Sequence, residues 1–484
     1  MINLPTILVK GAKLTFTLNK LLVLAAVASD SYWSNTNNIF KCIVVYKSTL
    51  GRQRKRLEFD FLQTTPTVLA EWSTKARNEF AIEEIVLIDF DGGSYIIPRA
   101  ALPSGKGISF LATTGRSLMD GAPSGFSVIK KANGSLIGSG LNNFGQLDNG
   151  STAPLTAYAP IASGRTFVSV HGTSGNTTGL TSDGQFWGWG YASSGGNSIV
   201  GVGSVTSTPT ALAHTGIVFS QASAANCTNG TNSAGIYAIG IDANTQKCYG
   251  WGISYMGNTG QALRADGRSN TPKIIGNRNW TKVSAGAVSL GIEKETGFIY
   301  WWGSGVTATP TVLGDNRAYK DLACTHAVGT GLAGIAAFGI EASTGLLYGW
   351  NPTTNAALSN NPSIVGDGTT IRRAAPVLLH PTRQWKSVVG GYRFAAAIDS
   401  TGAVYTWGVN TRGQLGVGDT TARTVPTLIS GNRVFSEITC GNNYMLALEV
   451  GTGNIYGWGN TTNGELGFVS AAPVTVPTLV ASIF

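Results

Sequence analysis

The sequence predicts a mainly β protein: a seven-bladed β-propeller of tandem repeats preceded by a small α+β domain. Three observations predict it. First, glycine is frequent, at 64 of 484 residues, and charged residues make up only 12%, about half the usual share of ~25%. With 43% apolar residues, this composition is turn-dense rather than disordered: short strands separated by Gly, Asn, Thr and Ser. Second, one unit recurs. Tyr405-Thr406-Trp407-Gly408, then Gly413-Gln414-Leu415-Gly416 and Pro426, returns 51 positions later as Tyr456-Gly457-Trp458-Gly459, Gly464-Glu465-Leu466-Gly467 and Pro477. Third, charge thins out near Pro103. Residues 1–100 carry 12 Lys/Arg and 9 Asp/Glu, whereas residues 101–484 carry only 22 and 16. The expected domains are 1–103 and 104–484.

Aligned on the dipeptide that ends the aromatic strand, the units read Ser139-Gly140, Trp189-Gly190, Trp251-Gly252, Trp302-Gly303, Trp350-Asn351, Trp407-Gly408 and Trp458-Gly459. The spacings are 50, 62, 51, 48, 57 and 51 residues. Two residues earlier stand Ile137, Trp187, Tyr249, Tyr300, Tyr348, Tyr405 and Tyr456. An aliphatic–acidic pair precedes a Gly turn upstream, as in Ile292-Glu293, Ile340-Glu341, Ile398-Asp399 and Leu448-Glu449, and each unit runs on to a proline. Another strand begins aromatic and ends small, as in Trp280 to Gly286, Trp385 to Gly391 and Phe435 to Gly441. Small residues suit the innermost strands, where sheets converge on an axis; Cys324 and Cys440 fall at such positions.

Four short strands per unit close into a ring of radial sheets, which removes free edges. The anchors expected between neighbouring sheets are Trp189, Trp251, Trp302, Trp350, Trp407 and Trp458, with Tyr249, Tyr300, Tyr348, Tyr405 and Tyr456. Each buries about 150–250 Å². The strand near Ile108–Thr113 is expected to complete the ring and interlock its two ends.

The first hundred residues have no internal copy. Ile39 to Tyr46 and the alternating Arg56 to Leu62 predict two paired strands, and Glu84 to Phe90 with Ser94 to Ile97 a tight hairpin across Asp91-Gly92-Gly93. Pro66 to Arg77 has helical spacing at Val68, Leu69, Trp72 and Ala76 behind Thr64-Thr65 as capping residues. Arg52, Arg54, Lys55 and Arg56 form the chain's one basic cluster, read as a solvated turn and, alternatively, as a partner contact.

The net charge of +9 is a scattered surplus, and phosphate recognition needs clustered cations, so nucleic acid is not an expected partner. Cys42, Cys227, Cys248, Cys324 and Cys440 lack the pairing of a disulfide frame or zinc site. His171, His214, His326 and His380 are far apart, and His171 stands at a small inner-strand position. No phosphate-loop or dinucleotide signature occurs, so no cofactor, metal or catalytic residue is expected. No apolar run reaches the ~18 residues of a membrane span, and Leu21 to Ala28 reads as a buried strand or helix rather than a signal-peptide core.

The pattern aliphatic–acidic–x-x-Gly-x-x-Tyr-x-Trp-Gly-x-Asn-x-x-Gly-Gln-Leu-Gly and then Pro resembles the regulator of chromosome condensation repeat over roughly residues 104–484. It is clearest in Gly402–Pro426 and Gly453–Pro477. The resemblance implies a seven-bladed propeller and a range of protein-binding roles, including nucleotide exchange on a small GTPase and inhibition; fold alone does not choose among them. The leading expectation is a non-catalytic virion component, such as a phage tail, fibre or decoration protein. Residues 1–103 would dock into the assembly and the propeller loops would meet a host surface ligand; a third reading is glycan binding on those loops, with Phe144, Tyr191, Tyr255 and Phe468 read equally as stacking or as packing residues. The alternative is a cytoplasmic protein-binding regulator acting through a propeller face.

Overall fold

The computed structural model describes residues 14–18, 39–48, 54–60, 70–74, 80–89, 94–98, 110–113, 125–131, 134–161, 164–173, 175–190, 206–212, 216–228, 234–253, 257–260, 268–303, 307–325, 335–351 and 364–482. The chain divides into two compact units, Met1–Gly107 with Phe484, and Ile108–Ile483.

In the first unit, Leu14–Leu18 pairs antiparallel with Ala70–Thr74. A second antiparallel sheet has the order Arg54–Asp60, Ile39–Ser48, Phe80–Asp89, Ser94–Pro98. The β-branched run Ile43-Val44-Val45 lies in one of its two inner strands, and its last two strands pair antiparallel. Two expectations are corrected here. The stretch expected to be helical, 66–77, contains the strand Ala70–Thr74, and the described elements of this unit are all strands. Arg54, Lys55 and Arg56 lie within a strand, opposite Lys47, Tyr46 and Val45, rather than in the turn. Arg52, Leu21 to Ala28, Tyr191, Tyr255, His214 and His326 lie outside the described residues.

The second unit is a β-propeller. Five of its sheets are four-stranded and antiparallel, and one is seven-stranded. Sheet 1 comprises Phe110–Thr113, Phe126–Lys130, Leu136–Gly140 and Leu155–Ile161. Sheet 2 comprises Phe167–Gly172, Asn176–Thr181, Phe186–Gly190 and Thr206–Ala211. Sheet 3, the seven-stranded one, runs from Phe219–Thr228 to Thr307–Val312. Sheet 4 comprises Tyr319–Cys324, Ala337–Glu341, Leu347–Trp350 and Val377–Leu379. Sheet 5 comprises Trp385–Gly390, Phe394–Asp399, Val404–Gly408 and Arg423–Leu428; sheet 6 comprises Phe435–Cys440, Tyr444–Glu449, Asn454–Thr461 and Ser470–Ser482.

Seven separate blades are therefore not what forms. In sheet 3 a single strand, Arg268–Ser284, pairs through its first part with Lys247–Ile253 and through its last part with Ser289–Glu293. The outer strand of one repeat continues into the inner strand of the next, so hydrogen bonding never breaks between them. Among the described residues the expected interlock of the ring's ends does not occur in the strand pairing: Phe110–Thr113 pairs with Phe126–Lys130 of its own sheet.

Each inner strand from sheet 2 onward carries a register shift just after its leading aromatic, at Phe167/Ser169, Phe219/Gln221, Trp280/Lys282, Tyr319/Asp321, Trp385/Ser387 and Phe435/Glu437. A bulge at this place increases twist and re-aims two successive side chains. Towards their ends the inner strands come close together. A Cβ on Gly286 would lie 3.0 Å from the Cβ of Cys324, and one on Gly390 would lie 2.5 Å from the Cys324 carbonyl. Small residues on three successive inner strands are a steric requirement of that convergence.

Candidate functional site: the blade junctions

The repeat's signature residues meet where one sheet touches the next. In sheet 5 the turn after Trp407-Gly408 is shaped by side chains. Asn410 Oδ1 accepts from Leu415 N (2.9 Å), its amide donates to Asp419 O (2.9 Å) and Thr421 O (3.0 Å), and Gln414 Oε1 accepts from Arg412 N (2.8 Å). Sheet 1 repeats this with Asn142 and Gln146: Leu147 N to Asn142 Oδ1 (2.8 Å) and Phe144 N to Gln146 Oε1 (2.9 Å). The Asn and Gln of the motif therefore cap backbone donors that would otherwise be buried unpaired. Leu147, Leu415 and Leu466 are fully buried beneath these turns.

The turn then presents a carbonyl to the next repeat, within sheet 3 in the case of Asn258. Trp458 Nε1 donates to Gln414 O (3.0 Å), Trp189 Nε1 to Gln146 O (2.9 Å) and Trp302 Nε1 to Asn258 O (2.9 Å). Hydroxyls on the neighbouring strand add to two of these, Thr177 to Gln146 O and Ser289 to Asn258 O, both at 2.7 Å. Gly416 has φ +65°, and a Cβ there would sit 2.7 Å from the Trp458 indole nitrogen; glycine is what lets the indole approach. Trp350 and Trp407 are equally buried, yet their indole nitrogens have no partner. The turn before Trp407 offers Ile364-Val365-Gly366 in place of Gln-Leu-Gly.

A second bracket ties the other end of five of the repeats. Arg433 lies 4.0 Å over the Tyr456 ring, pairs with Glu449 (2.7 Å), and Glu449 accepts from Thr452 (2.8 Å) in the turn. Arg383 over Tyr405 (4.4 Å) pairs with Asp399, and Arg278 over Tyr300 (4.1 Å) pairs with Glu293. Arg317 lies over Tyr348 and Arg165 over Trp187. Burial works against the ionised carboxyl of Asp399, but bonds from Thr401, the Ala403 backbone and Arg383 outweigh it and hold it below the usual carboxylate range. The acidic residue of the motif is thus a clamp between a turn hydroxyl and a stacked guanidinium. Sequence reasoning missed these arginines. The signal was available: each stands two residues before the leading aromatic of an inner strand, at Arg165-Thr-Phe167, Arg278-Asn-Trp280, Arg317-Ala-Tyr319, Arg383-Gln-Trp385 and Arg433-Val-Phe435.

At the seam between sheets 6 and 1 the parts change. Ser139 stands where other units carry Trp, and donates to Gly464 O (2.7 Å), while Ser127 donates to Glu465 O (2.6 Å). Tyr158, on the outer strand of sheet 1, brings its hydroxyl to 2.8 Å from Ser127 Oγ and donates to Glu465 O (3.4 Å). An aromatic from the outer strand thus reaches the carbonyl that an indole binds elsewhere. Tyr444 donates to Phe126 O, and Ile129 and Ile137 share a core with Tyr444, Leu446, Leu448, Ile455 and Leu466. Burial pushes the Glu437 carboxyl up to about 7 against the pull of Lys130 and Lys386. It lowers the Lys130 ammonium against the pull of Glu437.

The six anchor tryptophans are at most 1% exposed, and Tyr300, Tyr348, Tyr405 and Tyr456 are buried under their arginines, with Tyr249 less so. His171 is pushed down to about 4 by burial and hydrogen-bonds the Ala222 backbone of the neighbouring sheet. His380 stacks edge-on against Trp385 and Tyr405. Phe468 packs on the seam core. Burial raises the thiol of Cys324 to about 12 and also raises those of Cys248 and Cys440. Among the described residues no group of three His, Cys, Asp or Glu could hold a metal ion, and no helix is long and apolar enough to cross a membrane.

The sequence model of the Regulator of chromosome condensation (RCC1) repeat matches residues 401–448, and a second RCC1-repeat model matches residues 385–414. The chain is 30% identical over 98 residues to the Ultraviolet-B receptor UVR8 of Arabidopsis thaliana, covering 20% of this chain and 22% of the receptor. It is 37% identical over 94 residues to the E3 ubiquitin-protein ligase HERC2 of Homo sapiens, covering 18% of this chain and 2% of the ligase. To the Regulator of chromosome condensation of Mus musculus it is 34% identical over 87 residues, covering 18% of this chain and 20% of that protein. The chain therefore spans less than a quarter of the length of each. Human WBSCR16 superposes with a TM-score of 0.56 at 17% identity, covering 84% of this chain and 99% of the other. Yeast RCC1 (Prp20), solved bound to Kap60, superposes with a TM-score of 0.54 at 16% identity, covering 71% of this chain and 83% of the other. At these identities the likeness is one of fold, and with the matching repeats it makes residues 108–483 an RCC1-like β-propeller.

Proposed function

We propose that this chain is a non-catalytic, protein-binding regulator that holds its partner on the propeller. The observation that carries the reading is the company of its repeats. They match those of a receptor, a ubiquitin ligase and the Regulator of chromosome condensation, and one solved relative of the same fold is described as bound to Kap60. None of these relatives is named as a virion component. In this reading sheet 3 counts as two blades fused through Arg268–Ser284, which brings the ring to seven, and the protein works inside the cell. Residues 1–103 form a separate docking domain, with Arg52, Arg54, Lys55 and Arg56 as a second partner contact.

The test is affinity purification of the full chain from cells that make it, followed by quantitative mass spectrometry and reconstitution with purified components. The expected result is a stoichiometric complex with a soluble protein. Recovery in an assembled particle, or turnover of a small-molecule substrate by the pure chain, overturns the reading.

A further inference from the structure

One surface departs from the repeat in a way the scaffold does not need. The loop of sheet 4, residues 366–373, lies on the outer strand of sheet 5, with Gly368 N donating to Thr424 O (2.9 Å). The loop of sheet 5, residues 416–423, lies on the outer strand of sheet 6 in the same manner, with Gly418 N donating to Thr475 O (2.9 Å). The two loops correspond at an offset of 50 residues. Gly366 and Gly416 each face the indole of the following Trp. Arg373 and Arg423 are each paired with an aspartate, Asp367 or Asp419. They differ at Asp367 against Val417 and Thr369 against Asp419, which moves the paired aspartate by two positions, and at Ile371 and Arg372 against Thr421 and Ala422.

Ile371 is 60% exposed, the most of any large apolar side chain among the described residues, and Val425, beside Gly368, is 47% exposed. Residues 365–428 hold seven Lys/Arg against three Asp. Those three aspartates are already committed, to Arg373, Arg383 and Arg423. Arg372 and Arg412 make no ion pair among the described residues, and Arg372 Nε is buried with no partner. Asn410, two residues before Arg412, holds its turn against Asp419 and Thr421 of the adjoining loop. Arg372 thus follows Ile371 in one loop, and Arg412 stands in the turn tied to the loop that leads into Val425's strand, neither guanidinium neutralised by an ion pair among the described residues.

We propose that this junction of sheets 4 and 5 docks an acidic polypeptide segment bearing aliphatic side chains. Its carboxylates meet Arg372 and Arg412, and its apolar groups cover Ile371 and Val425. Guanidinium–carboxylate pairing fixes the register, and apolar burial supplies the part of the affinity that salt does not screen. The inference rests on the protein-binding reading and names where that partner sits.

The probe is a fluorescein-labelled twelve-residue peptide of aspartates interrupted by three leucines, titrated with the full chain and followed by anisotropy. Saturable binding of one peptide is expected. It should weaken about tenfold in Arg372→Glu/Arg412→Glu and about fivefold in Ile371→Ser, in line with losing a charge pair and an apolar anchor. An all-aspartate peptide should also bind about fivefold more weakly. Unchanged binding in the charge-reversed variant, equal binding of the all-aspartate peptide, or preferential binding of duplex DNA overturns the proposal. Should the charge-reversed variant misfold, Thr421→Ile/Ala422→Arg/Asn463→Arg grafts the same surface onto the next loop, Asn463 being the counterpart of Arg412 and Val476 that of Val425. A rise from one bound peptide to two supports the proposal, and a stoichiometry that stays at one defeats it. A chain that co-purifies with a protein partner but binds no peptide loses this assignment and keeps the protein-binding reading.

Discussion

The junction of sheets 5 and 6 and the seam of sheets 6 and 1 solve one problem with different parts. At the first, Trp458 donates to Gln414 O from the third strand of its sheet. At the second, Ser139 occupies that third-strand position, and Tyr158 reaches in from the outer strand to bond Ser127 and Glu465 O. The carbonyl that the turn presents is the constant; the aromatic that reaches it is replaceable. These two junctions share a ring whose polar hydrogen meets the turn carbonyl, supplied from different chain positions, whereas the Trp407 nitrogen at the junction of sheets 4 and 5 has no such partner.

The sharpest test of that equivalence is deletion of each ring. Trp458→Ala is expected to cost about 3–5 kcal/mol in denaturant unfolding. Tyr158→Ala should fall in a similar range, and a loss under about 1 kcal/mol would show that the seam does not depend on its surrogate ring. A finer comparison uses indoles alone. Trp458→Phe leaves Gln414 O without its donor and should cost about 1–3 kcal/mol more than Trp407→Phe, which removes a nitrogen that has no partner. Equal losses would mean that the carbonyl contact adds nothing beyond packing.

Stability should also respond to pH through Glu437, on the inner strand of sheet 6 between Lys386 of sheet 5 and Lys130 of sheet 1. The folded pKa of Glu437, about 7, lies above its ordinary 4.5, so the native state binds that proton more tightly. The stability this contributes is complete below pH 4.5 and is lost as pH climbs to about 7. Lys130 and Lys386 are the charges that face it. Glu437→Gln should reduce the slope of the melting temperature across this interval, the remainder belonging to Asp148 (raised to about 6) and Glu465, whose carboxyls burial also raises, whereas an unchanged slope would assign it all to those groups. The smallest effect expected is at the clamps: Arg433→Ala should cost about 0.5–1 kcal/mol, and raising salt should recover little of it, because stacking on Tyr456 survives screening better than ion pairing.

Much of this was legible in the residues, for reasons that differ by element. Strands around Trp407 and Trp458 could be read because Gly, Pro and aromatic positions impose local geometry that recurs every blade. The Asn410 and Gln414 caps belong to the same local class: both bond backbone within five residues of themselves. The stretch 66–77 misled because Val68, Leu69, Trp72 and Ala76 satisfy helical spacing, while the pairing that makes Ala70–Thr74 a strand comes from Leu14–Leu18, more than fifty residues away. The stacked arginines escaped because two-residue spacing to an aromatic has no meaning until a third strand brings Tyr456 beneath the guanidinium.

By itself the sequence determined the repeat, its turns, its aromatic strands and the need for small residues near an axis, since each follows from backbone sterics and short-range hydrogen bonding. Only the tertiary structure decided that Arg268–Ser284 runs unbroken between two repeats, that Tyr158 stands in for a missing indole, and that Arg372 and Ile371 share a surface with Val425. Those outcomes depend on contacts between residues distant in the chain, where geometry and burial, rather than local preference, set the energy.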